Sequence, residues 1–300
     1  MTITHDSGTN EPGTSVSPAG YRRITVTPIA GALGAEIGGV DLNDLDDETV
    51  GEIRAAWLRH LVVFFREQDL DSDAFVAFAR RIGEPIEYPF VRGFDDHPEI
   101  IAVKKLPNET VNFGGIWHSD TVYLDQPPMG TMLIAREIPP TGGDTMFANQ
   151  YAAYEALSPA MQEMLAPLRG VNSSALADVS KTREDRMRDV GDAAASGGAD
   201  RVFEASHPVV RTHPETGRKS LYVNIAHTAR FDGMTEDESR PLIEWLQAHV
   251  TQPHFTCRVN WKPGTLTIWD NRRTQHNAIN DYQGMRRHMR RLTSGPTHPA

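Results

Sequence analysis

The sequence predicts an α+β protein whose core is a double-stranded β-helix, or jelly roll, with flanking helices. Three observations carry this prediction: two amphipathic helical segments come early, short strand-like segments fill the middle and the end, and one helical segment comes late. Helices segregated from strands in this way are typical of α+β folds, because parallel α/β sheets need the two to alternate. Many short strands separated by turns favour a jelly roll.

The chain divides into a polar lead and one long domain. Residues 1–20 lack both the basic start and the apolar core of a secretory signal, so they are predicted to be a disordered lead. Residues 21–295 are predicted to form a single jelly-roll domain, which opens with a strand where residues 21–31 alternate in hydrophobicity.

Two helices with a buried strand between them come next. The first is predicted over about residues 47–59, where acidic side chains occupy the opening turn. The second starts at an N-cap at Asp71 or Ser72, carries an apolar face and stops at Gly83. The apolar run at residues 61–65 has the composition of a buried strand.

The middle of the chain contains short strands, a helix and an insertion. Strands are predicted within residues 100–138, and Ser158 followed by Pro159 marks a helix start, because proline fits the first turn. Residues 175–200 are polar, charged and rich in small side chains, which predicts a mobile insertion. That insertion is either a lid or a simple loop.

The last third is predicted to be mostly strands around one helix. Residues 207–224 form two strands around a Pro-Glu-Thr-Gly turn. Thr235 and Glu238 have the spacing of a capping box for a helix. In the strand that follows, Cys257 stands on the apolar face, so it is predicted to be a core residue rather than a nucleophile.

Composition limits the partners and the compartment. The net charge of −10 argues against nucleic acid or an anionic membrane surface as the main partner, although local arginines can still bind a small anion. The densest apolar run is too short to span a bilayer. A single cysteine allows no intrachain disulfide, which fits a reducing cytosol, so a cytoplasmic location is predicted.

A histidine and an aspartate stand two residues apart in the strand-like segment 115–123. On a strand, His118 and Asp120 project from the same face and can share one ligand. Such pairs also arise by chance on solvated strands. With His276, however, they match the facial triad of two histidines and one carboxylate that leaves positions open on Fe(II). Taken alone, His276 is more simply a hydrogen-bonded loop histidine.

Arginines of the C-terminal tail strengthen the ligand-site interpretation. If residues 285–292 form a strand, Arg287 and Arg291 share a face with Met285 and Met289, and a helix would also bring the two arginines together. Arginines turned toward a core need anionic partners. Guanidinium binds carboxylate through two parallel hydrogen bonds. These residues therefore predict an anionic ligand inside the domain.

Several motifs in order carry a resemblance to a known family. The segments "WHSD", "GGDTMFAN", "HPVVRTHPETGRKSLYVN" and "WDNRRTQHNAINDY" resemble the taurine/2,4-dichlorophenoxyacetate dioxygenase family over about residues 21–294. The resemblance implies an Fe(II)- and 2-oxoglutarate-dependent enzyme that uses O2 to oxidise, chiefly to hydroxylate, a small anionic organic substrate. Decarboxylation of 2-oxoglutarate then yields succinate and CO2. Family analogy also implies a homo-oligomer, dimer or tetramer.

The resemblance further implies a role for individual residues. His118, Asp120 and His276 fall on the iron ligands, while Arg287 and Thr145 fall on residues that bind the distal carboxylate of 2-oxoglutarate. The predicted substrate residues are Arg291, Tyr88, Trp117 and Asn112.

The substrate itself is left open by departures from the taurine enzymes. Tyr88 stands in the segment where those enzymes have a sulfonate-binding histidine, and the residues before His118 lack the polar groups that hold the amine of taurine. Taurine is therefore not the expected substrate. Two other classes stay open: a jelly-roll zinc hydrolase, since the same three ligands serve Zn2+, and a non-catalytic metal-binding module.

Overall fold

The structure is a computed structural model that describes residues 20–176 and 202–299. Nearly all of the predicted lead and most of the predicted insertion lie outside these residues, so both stay predictions. Within the described residues, no helix combines the length and the apolar character needed to cross a membrane.

Four of the five described α-helices begin where the sequence predicts a helix start. Asp46 and Asp71 accept backbone hydrogen bonds at the first two helix starts, and Thr235 with Glu238 forms the predicted capping box. One short helix, the third, was not predicted. In chain order the helices are α1 (Asp47–His60), α2 (Ser72–Ile82), α3 (Gln150–Glu155), α4 (Pro159–Leu165) and α5 (Glu236–Val250).

The strands of the described residues are numbered in chain order. They are β1 (Thr25–Pro28), β2 (Ala35–Gly38), β3 (Val62–Phe65), β4 (Pro85–Ile86), β5 (Ile101–Lys105), β6 (Pro128–Glu137), β7 (Thr145–Asn149), β8 (Arg169–Ser173), β9 (Glu204–Pro208), β10 (Val210–Thr212), β11 (Lys219–Leu221), β12 (Thr228–Phe231), β13 (Thr256–Val259), β14 (Leu266–Asp270), β15 (Thr274–Ala278) and β16 (Arg287–Pro296).

These strands form one large sheet and three small ones. The large sheet has the order β1-β2-β3-β14-β6-β16-β4, and β5 also pairs with β16. The small sheets are β13-β7-β15, β12-β8-β9 and the hairpin β10-β11. Neighbouring strands are antiparallel except for β2 and β3.

The large sheet separates two apolar cores. Alternation along β3 turns Val63 and Phe65 toward α1 and α2, whereas Val62 and Phe64 face an inner core shared with Phe147 of β7. Because Phe147 belongs to the β13-β7-β15 sheet, two sheets enclose the inner core face to face. This arrangement confirms the predicted jelly-roll core with flanking helices.

Two predictions about strand faces had different outcomes. The tail is a strand, and its inward face buries Arg287, Met289 and Arg291 as predicted. The segment around His118 is not a strand: His118 forms a single β-bridge with His276, and the chain then turns, with Thr121 at a positive φ of 46°. The alternation argument for His118 and Asp120 is therefore wrong, because a turn, not a pleat, orients the two side chains.

Candidate active site

Three side chains that bind metals in proteins converge beside the inner core. The ligand atoms of His118, Asp120 and His276 all lie within 4.8 Å of one another, and the three residues are buried. Asp120 Oδ1 is 3.6 Å from His118 Nε2 and 3.9 Å from His276 Nε2. The backbones of the two histidines hydrogen-bond each other in both directions, at 3.0 and 2.7 Å, which holds the rings together.

The surroundings select the ligand nitrogen of His118 and the charge of His276. His118 Nδ1 lies 2.7 Å from the carbonyl oxygen of Ile116, which can only accept, so Nδ1 carries the proton and Nε2 is left with a lone pair. Phe147 stacks on the His276 ring at 5.9 Å between centroids. Burial, with the nearby His118, lowers the pKa of His276 to about 3, so this imidazole is neutral, as a metal ligand must be.

Asp120 is oriented by residues that sequence reasoning missed. Its Oδ2 accepts a hydrogen bond of 2.6 Å from the hydroxyl of Thr131 on β6, and Thr131 accepts one of 2.7 Å from Asn271 Nδ2. Burial opposes ionisation of Asp120, but Arg291 and the two histidines outweigh it and hold its pKa well below the ordinary value. No local motif marks Thr131, because its contact with Asp120 joins β6 to the turn after His118, 11 residues earlier in the chain.

This donor set fits a divalent metal ion with open coordination positions. Two imidazoles and one ionised carboxylate suit Fe(II), and they also suit Zn2+. The contacts that orient Asp120 and His118 are of the kind that tune metal affinity in known sites.

A buried guanidinium marks a second part of the site. Within the described chain, Nε and Nη2 of Arg287 are buried without a hydrogen-bond partner. The guanidinium lies over the ring of Trp261 at 5.6 Å, and Trp261 Nε1 donates a hydrogen bond of 3.0 Å to the hydroxyl of Thr145. Lys105 stands opposite Arg287 on β5 and is also buried, so positive charge concentrates here. The region has the chemistry of a carboxylate site.

Arg291, four residues further along β16, faces the metal-ligand group. Its Nη2 is 2.9 Å from Asp120 Oδ1, and its guanidinium lies 4.9 Å over the ring of Tyr88. Burial works against the charge, but Asp120 outweighs it and raises the pKa of Arg291. Its Nη1 has no hydrogen-bond partner among the residues that the structure describes. The structure therefore brings Arg291 and Tyr88 beside the group of three ligands.

Asn112 and Trp117 have other contacts. Asn112 Nδ2 donates a hydrogen bond of 2.8 Å to the carbonyl oxygen of Ala278, at the end of β15, and so anchors the loop before His118. Trp117 packs against the outer apolar cluster that includes residues of α3 and α5. Their roles in substrate binding stay predictions.

Several aromatic side chains and one further histidine lie near the group of three candidate ligands. Tyr88, Phe90, Tyr123 and Phe203 form a cluster of edge-to-face contacts. His227 lies at 5.0 Å from the Tyr123 ring and 6.0 Å from the His118 ring, between centroids. Burial lowers the pKa of His227 to about 3. The sequence analysis did not single out His227, because no motif surrounds it.

Comparison with known proteins agrees with this site. Residues 25–293 match the family model described as taurine catabolism dioxygenase TauD, TfdA family, and the chain belongs to this family. Membership confirms the class of enzyme predicted from the sequence, a 2-oxoglutarate-dependent dioxygenase.

Individual relatives cover nearly the whole chain. The chain is 37% identical over 279 residues to an alpha-ketoglutarate-dependent sulfate ester dioxygenase of Pseudomonas putida, across 90% of this chain and 89% of the relative. It is 35% identical over 280 residues to an alkylsulfatase of Acinetobacter baylyi, across 91% and 85%. A crystal structure of a taurine dioxygenase from Burkholderia xenovorans has a TM-score of 0.78 at 36% identity, and the match covers 93% of each chain.

Proposed function

We propose that this dioxygenase holds Fe(II) with His118, Asp120 and His276 and oxidises a small anionic substrate, with sulfate esters as the favoured class. One observation carries the proposal: the buried face of β16 carries two arginines, Arg287 and Arg291, and Nη2 of Arg291 lies 2.9 Å from Oδ1 of Asp120. One arginine is available for the co-substrate and the other for the substrate.

The co-substrate 2-oxoglutarate is a dicarboxylate, and Arg287 with Thr145 would bind its distal carboxylate. The unpaired N–H groups of Arg287 match the two oxygens of a carboxylate. Thr145 accepts a hydrogen bond from Trp261, so its own O–H is directed away from the indole and is left to donate. Burial of both residues strengthens these interactions, because little water competes with them.

Hydrogen bonds within the fold orient two of the three proposed metal ligands, His118 and Asp120. When bound, Fe(II) with 2-oxoglutarate supplies the activation of O2 that a protein side chain cannot. The Ile116 carbonyl keeps the proton on His118 Nδ1, and Thr131 keeps one oxygen of Asp120 turned away from the histidines. The aromatic cluster that includes Tyr88, whose ring lies under Arg291, would limit the access of water to this arginine.

Arg291 supports the choice of an anionic substrate. Its ion pair with Asp120 shows that a negative charge fits beside its guanidinium. A cation bound by Asp120 shares the charge of that carboxylate, which leaves Arg291 able to pair with another anion. The relatives named as a sulfate ester dioxygenase and an alkylsulfatase favour a sulfate group as that anion.

An anaerobic titration with Fe(II) and 2-oxoglutarate tests the proposal. The visible charge-transfer band of an Fe(II)–2-oxoglutarate complex should appear with the wild-type protein and disappear with His118→Ala. Replacing Arg287 by Ala should weaken 2-oxoglutarate by roughly 2–5 kcal/mol, because it truncates one side of a buried charged pair. Arg291→Ala should leave 2-oxoglutarate binding nearly intact and raise the KM of the substrate.

Two outcomes would contradict parts of this scheme. Equal loss of 2-oxoglutarate and substrate binding in Arg291→Ala would remove the assignment of Arg291. Absence of the band, with tight Zn2+ binding and turnover without O2, would favour a zinc hydrolase instead.

A cytoplasmic location and a dimer or tetramer complete the proposal. The buried thiol of Cys257, with no second cysteine in the sequence, supports the first. Family analogy alone supports the second. Light scattering coupled to size-exclusion chromatography measures the number of subunits, and a monomer would contradict this part.

A further inference from the structure

A serine stands between two of the proposed metal ligands. Ser119 lies between His118 and Asp120 in the chain, and only 1% of its surface is exposed. Its hydroxyl donates a hydrogen bond of 2.7 Å to the carbonyl oxygen of Thr274, the first residue of β15. Because β15 also carries His276, this hydrogen bond joins the segment of two proposed ligands to the strand of the third.

The hydrogen bond of Ser119 takes over where the backbone pairing of the two segments ends. His118 and His276 form an isolated bridge, and the register of that bridge would next place Asp120 opposite Thr274. The segment turns instead, so a ladder does not continue to that position. The hydroxyl of Ser119 therefore supplies a donor to the Thr274 carbonyl where the next strand residue would have offered its N–H.

A buried glutamine fixes the direction of this hydroxyl. Gln150, the first residue of α3, donates a hydrogen bond of 3.3 Å from Nε2 to Ser119 Oγ. Its backbone N–H donates another, of 3.0 Å, to the carbonyl oxygen of Arg273, the residue before β15. A hydroxyl has one proton, and Ser119 Oγ accepts from Gln150, so that proton is left for Thr274. Contacts with α3 and β15 thus hold Ser119 in one orientation.

Other contacts hold the same chain segment on the opposite side of His118. Asn112 Nδ2 donates a hydrogen bond of 2.8 Å to the carbonyl oxygen of Ala278, and the Ala278 N–H donates one of 3.0 Å to the carbonyl oxygen of Gly114. Both contacts precede His118 in the chain. Ser119 is therefore the residue that fastens the segment to β15 on the side of Asp120.

We infer that Ser119 is a positioning residue of the metal site, whose hydroxyl holds the turn with His118 and Asp120 against the strand with His276. This inference rests on the proposed function and deepens it. Without the hydroxyl, the two segments would separate more often, and the three ligand groups would no longer be held at fixed distances. Metal binding would then have to restore their arrangement, which lowers affinity, because a preorganised site avoids that cost.

Two measurements on the full chain test the inference. Amide hydrogen exchange of the metal-free protein, followed by mass spectrometry of the peptides that contain His118 and His276, reports how often the two segments separate. Competition with a metal-sensitive dye under anaerobic conditions gives the Kd for Fe(II). The variants are Ser119→Ala, which removes the hydroxyl, and Ser119→Thr, which keeps it.

Ser239→Ala is the matched control. Ser239 is a fully buried serine of α5, whose hydroxyl donates a hydrogen bond of 2.8 Å to the carbonyl oxygen of Thr235 and accepts one of 2.9 Å from the Phe231 N–H. None of these residues is proposed to bind the metal, the co-substrate or the substrate. The control therefore makes the same chemical change, serine to alanine, at a different place in the fold.

We expect Ser119→Ala to speed exchange in both peptides and to raise the Kd for Fe(II), each by roughly three- to tenfold, the effect of one lost hydrogen bond. Ser119→Thr should recover most of both changes. Ser239→Ala should speed exchange in peptides of α5 instead and leave the Kd unchanged. If Ser119→Ala fails to fold, Gln150→Met, which removes the donor to Ser119, should shift both quantities in the same direction.

Three results would contradict the inference or its basis, and they are distinguishable. If Ser119→Ala matches Ser239→Ala in the Kd and in the exchange of the His118 and His276 peptides, Ser119 only fills space, while the proposed function stands. Equal changes in Ser119→Thr and Ser119→Ala would assign the effect to side-chain size and overturn the role of the hydroxyl. If the wild type does not bind Fe(II), the proposed function fails, whereas the exchange of the metal-free protein still shows whether Ser119 joins the two segments.

Discussion

Replacing Thr131 by valine isolates the hydrogen bond that orients Asp120. Thr131 is fully buried on β6, and its hydroxyl donates to Asp120 Oδ2 at 2.6 Å. Valine has nearly the same shape, so the substitution removes the hydroxyl without opening a cavity. We expect a weaker metal site, because Asp120 would lose the contact that turns its other oxygen toward His118 and His276.

The magnitude follows from the type of contact. A hydrogen bond to a charged group contributes about 1.5–3 kcal/mol. Loss of a contact that orients a metal ligand lowers metal affinity by roughly 10–100-fold, and tenfold corresponds to about 1.4 kcal/mol. Asn271 Nδ2 would also lose its acceptor, which adds to the effect. We therefore expect a metal Kd at least about tenfold higher in Thr131→Val.

Competition with a metal-sensitive dye, under anaerobic conditions for Fe(II), measures this Kd. Thr267→Val is the matched control, because Thr267 is a fully buried threonine of β14 whose hydroxyl has no partner among the described residues. It should leave the metal Kd unchanged and raise the free energy of unfolding, since an unsatisfied hydroxyl is removed. A Kd for Thr131→Val within twofold of the wild type would refute the role given to Thr131.

Three further predictions concern other parts of the described chain. Trp261→Phe removes the donor to Thr145 and should raise the KM for 2-oxoglutarate by roughly three- to tenfold with kcat unchanged, in steady-state kinetics. Asp270→Asn breaks a buried ion pair with Arg272 and should lower the free energy of unfolding by about 3–5 kcal/mol at pH 7, measured with denaturant. Burial disfavours ionised Asp270, but Arg272 outweighs it and keeps the pKa well below normal, so the stabilisation exists above the unfolded pKa of about 4. It should be lost as the pH falls below that value, and an equally steep loss in Asp270→Asn would contradict this. Finally, burial raises the pKa of Cys257 to about 12, so a disulfide reagent at pH 8 should modify it only after unfolding, and rapid reaction of the folded protein would place it at the surface.

Local signals in the sequence were sufficient for most helix starts and for the inward face of the tail, but not for α3 or for the turn after His118. Asp71, Thr235 and Glu238 cap helices through contacts within three residues, so the helix starts can be recognised without any tertiary structure. The alternation that buries Arg287 and Arg291 is equally local, because successive side chains of any strand face opposite ways.

The identity of the metal-ligand group was also predicted from the sequence, but its construction was not. The turn after His118 replaces the expected strand, and the bridge to His276 depends on a contact between segments far apart in the chain. The short sequence His-Ser-Asp is compatible with a strand and with a turn, and both conformations can bring His118 and Asp120 together. The motif therefore indicates the candidate ligands but not the contacts that bring them together.

The sequence by itself predicted the class of enzyme, which the family match confirms, and three of the helix starts, and it indicated the side chains proposed to bind metal and anions. Only the tertiary structure decided that Thr131 orients Asp120, that Trp261 joins Thr145 to the surroundings of Arg287, and that His227 borders the metal ligands. The physical reason is range: capping and alternation act over a few residues, whereas these contacts join residues 11 to 116 positions apart, which only the folded chain brings together.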